Sequence, residues 1–171
     1  MFKFLIPITA SATLLTAPVT HADVEVSFVD SAPKDRFVLL NTGECALENI
    51  MVDFDLSKSV GKLIFDTTAT GAGVEVFQPF EVRRGKLMLA STNEIKDGDS
   101  TLSLKIQSIA PSESVSFTID VDDTLDRSEL GNIRVSGSEI TNGSITLITQ
   151  KSTVSTTFNR YGKALLPTQG C

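Results

Sequence analysis

From Asp23 onward, apolar residues alternate with polar ones at a spacing of two, the period of a strand with one buried face and one wet face. Val24, Val26 and Phe28 share a face, and Ile50, Val52, Phe54 and Leu56 alternate with Met51, Asp53 and Asp55. Leu102, Leu104 and Ile106 alternate with Ser103, Lys105 and Gln107, and Val115, Phe117, Ile119 and Val121 with Ser116, Thr118 and Asp120. Shorter runs at 37–40, 63–65, 74–77, 86–90, 133–136, 144–149 and 153–158 read as further strands. Turn signals separate them: Asn41-Thr42-Gly43, Thr70-Gly71-Ala72-Gly73, Arg84-Gly85, Asp97-Gly98-Asp99 and Ala110-Pro111-Ser112. Asn142-Gly143, between Ile140 and Ile145, predicts a type I′ hairpin. Residues 125–130 predict one helical turn at most, Phe77-Gln78-Pro79-Phe80 predicts a bend, and the tail 164–171 reads as irregular. Many short strands at this spacing predict an all-β chain, a single antiparallel β-sandwich with Ig-like or jelly-roll connectivity, with Phe28, Phe54 and Phe117 in its core.

The first 22 residues read differently. Lys3, an apolar run over 4–15 and the small-residue approach Thr20-His21-Ala22 predict a cleaved secretory signal, leaving 23–171 as the domain. His21 is the only histidine, so the expected mature chain has none. That excludes Ser-His-Asp and Cys-His catalysis and any histidine-ligated metal. Setting Lys3 aside from the 15 basic residues, against 21 acidic ones, deepens the formal charge from −6 to −7. An acidic chain is unsuited to a phosphate backbone, which is gripped by Lys/Arg clusters, so no nucleic-acid partner is expected. No later apolar run approaches the roughly 20 residues that cross a bilayer. The expectation is an exported protein of the periplasm, cell surface or exterior, where Cys45 and Cys171 would pair as a disulfide.

The segment Asp120-Val121-Asp122-Asp123-Thr124-Leu125-Asp126 carries the most suggestive chemistry. Alternation puts Asp120 and Asp122 on one face at a strand end, with Asp123 opening the loop. Calcium takes six to eight oxygen ligands, which makes Asp120, Asp122, Asp123 and Asp126 candidate ligands, with further oxygens from Asp97 and Asp99, Asp66 or Glu139. The spacing is not that of an EF-hand. A solvated acidic loop, or aspartates capping turns through Asx hydrogen bonds, is the plainer reading of the same residues, and calcium the sharper one. A pair of carboxylates could also hydrolyse glycosides, but Trp is absent and Tyr161 is the only Tyr, so the aromatic platforms that stack sugars are lacking. Arg83-Arg84, with Gly85-Lys86, reads as a small solvated basic loop.

The stretch Asn41-Thr42-Gly43-Glu44-Cys45-Ala46-Leu47-Glu48-Asn49-Ile50 is similar to the opening of Ig-like domains in exported bacterial proteins. Together with the stretches at 32–37, 71–81, 117–125 and 135–140, it resembles small bacterial proteins labelled aggregation factor core. That label is borrowed from sponge cell-aggregation proteins whose adhesion depends on calcium. The resemblance implies an adhesive or matrix-associated role and carries over no catalytic residue. The functional expectation is therefore a non-enzymatic adhesion or envelope interaction module, calcium-dependent, whose partner is a protein or a cell-surface polysaccharide. The alternative is a carboxylate-based hydrolase or a polysaccharide-binding protein of the envelope.

Overall fold

All four long alternating runs form strands in the computed structural model, which describes residues 24–31, 34–73, 77–90, 95–128, 130–131 and 134–168. The expected signal segment 1–22 and Cys171 lie outside the described residues. The strands are β1 (Val24–Val29), β2 (Asp35–Asn41), β3 (Leu47–Asp55), β4 (Ile64–Asp66), β5 (Glu81–Arg84) and β6 (Leu87–Leu89), followed by β7 (Thr101–Ile109), β8 (Ser114–Asp122), β9 (Ser144–Ile148), β10 (Thr153–Thr157) and β11 (Lys163–Leu166). One sheet runs β11-β1-β2-β8-β4, with β5 also paired to β8; the other runs β10-β9-β3-β7-β6. The pairings are antiparallel, and the fold is the expected all-β sandwich.

The apolar faces meet between the sheets. Val24, Val26 and Phe28 of β1, Phe37 and Leu39 of β2, and Val115, Phe117, Ile119 and Val121 of β8 face Ile50, Val52 and Phe54 of β3 and Leu102, Leu104 and Ile106 of β7. Phe37 is the hub of this layer. Its ring stacks on Phe117 at 5.0 Å and meets Phe28 and Phe54 at 5.2 Å each, offset and edge contacts that add to simple burial.

Several expectations are corrected. Arg83 and Arg84 belong to strand β5, not to a loop; Glu81 is partly buried and Val82, Arg83 and Arg84 are all exposed, with no alternation, so its own pattern does not announce a strand. The tail is regular over Lys163–Leu166, where Ala164 and Leu166 point inward and β11 pairs with β1. Asn142-Gly143 does not join two strands: residues 137–142 are turn, Ile140 is core, and the β9–β10 hairpin turns at 149–152. Asn142 does take positive φ, at 72°, but a Cβ on Gly143 would stand 3.0 Å from the Ile140 carbonyl and from Leu56. The glycine serves close packing there. Residues 125–128 form no helical turn, and Arg134–Ser136 form no strand, although Val135 is buried. Of the expected strand at 74–77, Phe77 lies in a loop and the rest falls outside the described residues.

Strand β8 lies inside its sheet. It has β2 on one edge and β5, then β4, on the other, and both its faces are buried from Val115 to Asp122. The inner face is apolar; the outer one carries Ser116, Thr118, Asp120 and Asp122.

Candidate functional site

Pairing with β4 brings Asp66 directly opposite Asp120, and Ile64 opposite Asp122. Residues opposite one another share a face, and diagonal neighbours remain within side-chain reach. Asp66 thus joins Asp120 and Asp122 on the covered outer face. On its other side β4 meets the segment 95–99: Phe65 N–H donates to the Asp99 carbonyl at 2.8 Å, and Gly98 N–H to the Phe65 carbonyl at 3.0 Å. That segment delivers Asp97, whose Oδ1 accepts from Thr67 N–H at 2.9 Å and whose Oδ2 accepts from Ala72 N–H at 2.8 Å.

Asp66, Asp120 and Asp97 differ in how they are satisfied. Asp66 is 0 % exposed, and neither of its carboxylate oxygens receives a hydrogen bond. Burial first, and then the Asp97 and Asp122 carboxyls, push the Asp66 pKa up to about 8. Burial and the Asp122 charge raise Asp120 to about 7. Burial works to raise Asp97 too, but hydrogen bonding with Asp66 and with the backbone N–H groups of Thr67, Ala72 and Thr68 outweighs it and holds that pKa below the ordinary carboxylate value.

The other expected ligands lie apart from this group. Asp123 is buried and turns to accept Leu125 N–H at 3.0 Å through Oδ1, an Asx turn, while Asp126 is exposed. Asp99 accepts Lys96 N–H at 2.8 Å, and Glu139 accepts Ser136 N–H at 2.7 Å, each within its own turn. Among the described residues no group of three or more acidic, cysteine or histidine side chains is placed so that it could hold a metal ion.

A second feature lies on the opposite sheet. The solvent face of β3, β6 and β7 carries an open groove of about 700 Å³, lined by Asn49, Met51, Lys86, Met88, Lys105 and Gln107. The register places Met88, Lys105, Met51 and Ile148 side by side across four strands. One row along, Ser103, Asp53, Thr146 and Ser155 form a polar rank. Among the described residues neither Lys86 nor Lys105 is held in an ion pair, whereas Arg83 and Arg84 pair with Glu81 and Glu113. The alternating polar residues of β3 and β7 predict a wet face; that it is a groove depends on β6 standing beside β7.

A smaller hollow of about 190 Å³ is lined by Cys45, Leu47, Glu48, Thr149, Gln150, Lys151 and Thr168. Asn41 anchors the Cys45 loop, its buried side chain donating to the Cys45 carbonyl at 2.7 Å and to the Ile109 carbonyl at 2.9 Å. No cysteine among the described residues is free. Among those residues, too, no helix is long and apolar enough to cross a membrane.

No family model and no curated protein matches the chain. Among solved structures it is similar to a family GH18 chitinase from Chromobacterium violaceum, at 13 % identity and a TM-score of 0.37, covering 84 % of this chain and 19 % of that one. The chain thus spans about a fifth of that protein's length. It is also similar to the carbohydrate-binding module CBM3b of the cellulosomal cellobiohydrolase 9A from Clostridium thermocellum, at 13 % identity and a TM-score of 0.39, over 77 % of this chain and 94 % of that one. A family 3b carbohydrate-binding module from Clostridium clariflavum matches at 12 % identity and a TM-score of 0.33, over 78 % and 95 %.

Proposed function

We propose that the protein is a non-enzymatic, exported adhesive module that binds a polysaccharide of the cell envelope or its surroundings on the open face of its β10-β9-β3-β7-β6 sheet. The groove over β3, β6 and β7 carries this reading. Lys86 and Lys105 supply ammonium donors, Asn49 and Gln107 supply amides that both donate and accept, and Met51 and Met88 offer polarisable apolar surface. A sugar ring needs that combination, hydroxyl partners at its rim and apolar contact against its C–H face. Two unpaired lysines in an acidic chain favour a polysaccharide bearing carboxylates. The acids do not support the hydrolase alternative: Asp66, Asp120 and Asp122 are buried, and neither hollow has two carboxylates in its lining.

Native affinity electrophoresis through gels containing neutral glucans or a polyuronate tests the reading. The expected result is retardation in the polyuronate gel, abolished by Lys86→Ala with Lys105→Ala and unaffected by Lys163→Ala on the other sheet. Equal mobility in every gel, or equal retardation of the double variant, overturns it.

A further inference from the structure

We propose that Met51 and Met88 form a peroxide-sensitive modification site, and that their oxidation to sulfoxides switches off the sugar-binding face to which they belong. The switch rests on the reading of that face as a polysaccharide site; the oxidation itself does not. Met1 lies in the expected signal segment, so these two are the only methionines of the domain 23–171. Methionine ordinarily fills gaps in a core, yet the core between these sheets is built from Val, Leu, Ile, Phe and Ala. Both thioethers belong instead to the groove over β3, β6 and β7. Met88 is 64 % exposed, and Met51 is half-buried. The register sets them on either side of one lysine: Met88 stands opposite Lys105 across β6 and β7, and Lys105 stands opposite Met51 across β7 and β3.

That arrangement joins accessibility to a chemical consequence. An accessible thioether is oxidised by hydrogen peroxide. The sulfur lone pair attacks one peroxide oxygen, and the S–O bond forms as the O–O bond breaks. Sulfur gives up two electrons, and the departing oxygen takes the proton of the transferred hydroxyl and leaves as water. A thioether is a weak acceptor, so neither methionine occupies the Lys105 ammonium, and among the described residues that ammonium is in no ion pair. A sulfoxide is polar and chiral, and its oxygen accepts hydrogen bonds. Directly opposed residues on one sheet face lie about 4.5–5.5 Å apart at Cβ, within the reach of a lysine side chain. Oxidation therefore acts twice on the same surface. It replaces the apolar contact offered to a sugar C–H face by a polar group, and it gives Lys105 an acceptor that competes with a carboxylate of the polysaccharide. Methionine sulfoxide reductases undo the step, so the switch is reversible.

The test treats the purified protein with millimolar hydrogen peroxide and runs it in the polyuronate gel beside untreated protein. Peptide mapping is expected to find one added oxygen on each of Met88 and Met51, on Met88 first. Apparent affinity for the polyuronate is expected to fall about tenfold. Methionine sulfoxide reductases acting on both epimers should restore it, with untreated protein carried through the same reducing step as the control. The double variant Met51→Leu, Met88→Leu has no thioether to oxidise in the groove, so its retardation, whatever its starting value, should be the same before and after peroxide. Untreated wild type that is not retarded overturns the sugar-face reading and the switch with it; untreated and oxidised wild type retarded alike overturn the switch alone. The switch is also overturned if peroxide leaves both methionines of the folded protein unmodified, if the reductases do not restore retardation, or if the double variant loses retardation on treatment. Should the double variant show no retardation of its own, recovery of the oxidised wild type with the reductases decides.

Discussion

Asp66 and Asp120 stand directly opposite each other across the β4–β8 ladder, two buried carboxyls on one face of the sheet. Like charges in directly opposed positions destabilise a sheet, so this pairing is a built-in cost whenever both are ionised. In EDTA at pH 8, Asp120→Asn is expected to raise the Tm by about 2–4 °C, corresponding to roughly 1 kcal/mol for a domain of this size. Differential scanning calorimetry of the variant beside wild type measures it, and a lower Tm would show that the carboxylate has a stabilising partner.

Asp35 gives a pH dependence away from that cluster. It is the first residue of β2, and its side chain extends the ladder by one bond: Oδ2 accepts Val121 N–H at 3.2 Å and Oδ1 accepts Ser31 N–H at 3.1 Å. Burial dominates those two bonds, and with a further push from Asp120 it lifts the Asp35 pKa from 3.8 to about 8. Below the lower value both folded and unfolded states carry the proton; between the two values only the folded state does. Stability therefore falls as pH rises from about 4 to about 8 and levels off above that. Asp35→Asn keeps one acceptor and has no charge to bury. Urea midpoints across this range should fall less steeply for the variant, which should be the more stable protein at pH 8.

Two glycines separate steric from conformational requirements. Gly73 has no left-handed backbone, but its α-carbon rests on the Asp66 carboxyl; Gly131 has φ of 82° and open space around it. Gly131→Ala should cost about 1 kcal/mol through strain alone. Gly73→Ala should cost more, of the order of 1–3 kcal/mol for forced overpacking, and pairing it with Asp66→Ala should recover much of the loss. A double-mutant cycle read by chemical denaturation checks the coupling.

Much of the sandwich was legible because half-buried strands write their orientation into the sequence. The runs containing Val52, Leu104 and Phe117 needed no other information. β5 was not legible: Glu81, Val82, Arg83 and Arg84 form a strand because β8 has an edge to be covered, and that reason lies about 30 residues downstream. Asn142-Gly143 carries the chemistry of a hairpin turn in a place where Ile140 is instead committed to the core. At the candidate site, alternation placed Asp120 and Asp122 on one face, and the pairing of β4 with β8 keeps them there. Which other acids would join them depended on strand pairing. Asp66 arrives through the β4 register and Asp97 through the backbone bonds of 95–99 to Phe65, neither of which has a local signature.

The expected Cys45–Cys171 bridge has a definite consequence for stability. Thr168, three residues before Cys171, lines the same hollow as Cys45, so the tail passes close to it. Cys45→Ser is expected to cost about 2–4 kcal/mol, with a similar loss on reducing the wild-type protein and none on reducing the variant. Peptide mapping without reductant should recover the two cysteines in one linked peptide.

The pairing of β1 with β11 bears on how an adhesive module would carry load. Val24 opens β1 and is partnered by Leu166, which closes β11, so the two chain directions leave the domain from adjacent points. Tension applied through both would meet that ladder from its end and part its hydrogen bonds one after another, as in a zipper, instead of shearing them together. Anchored through both ends, this domain would yield at modest force along the β1–β11 seam unless the tail is tied back at Cys45.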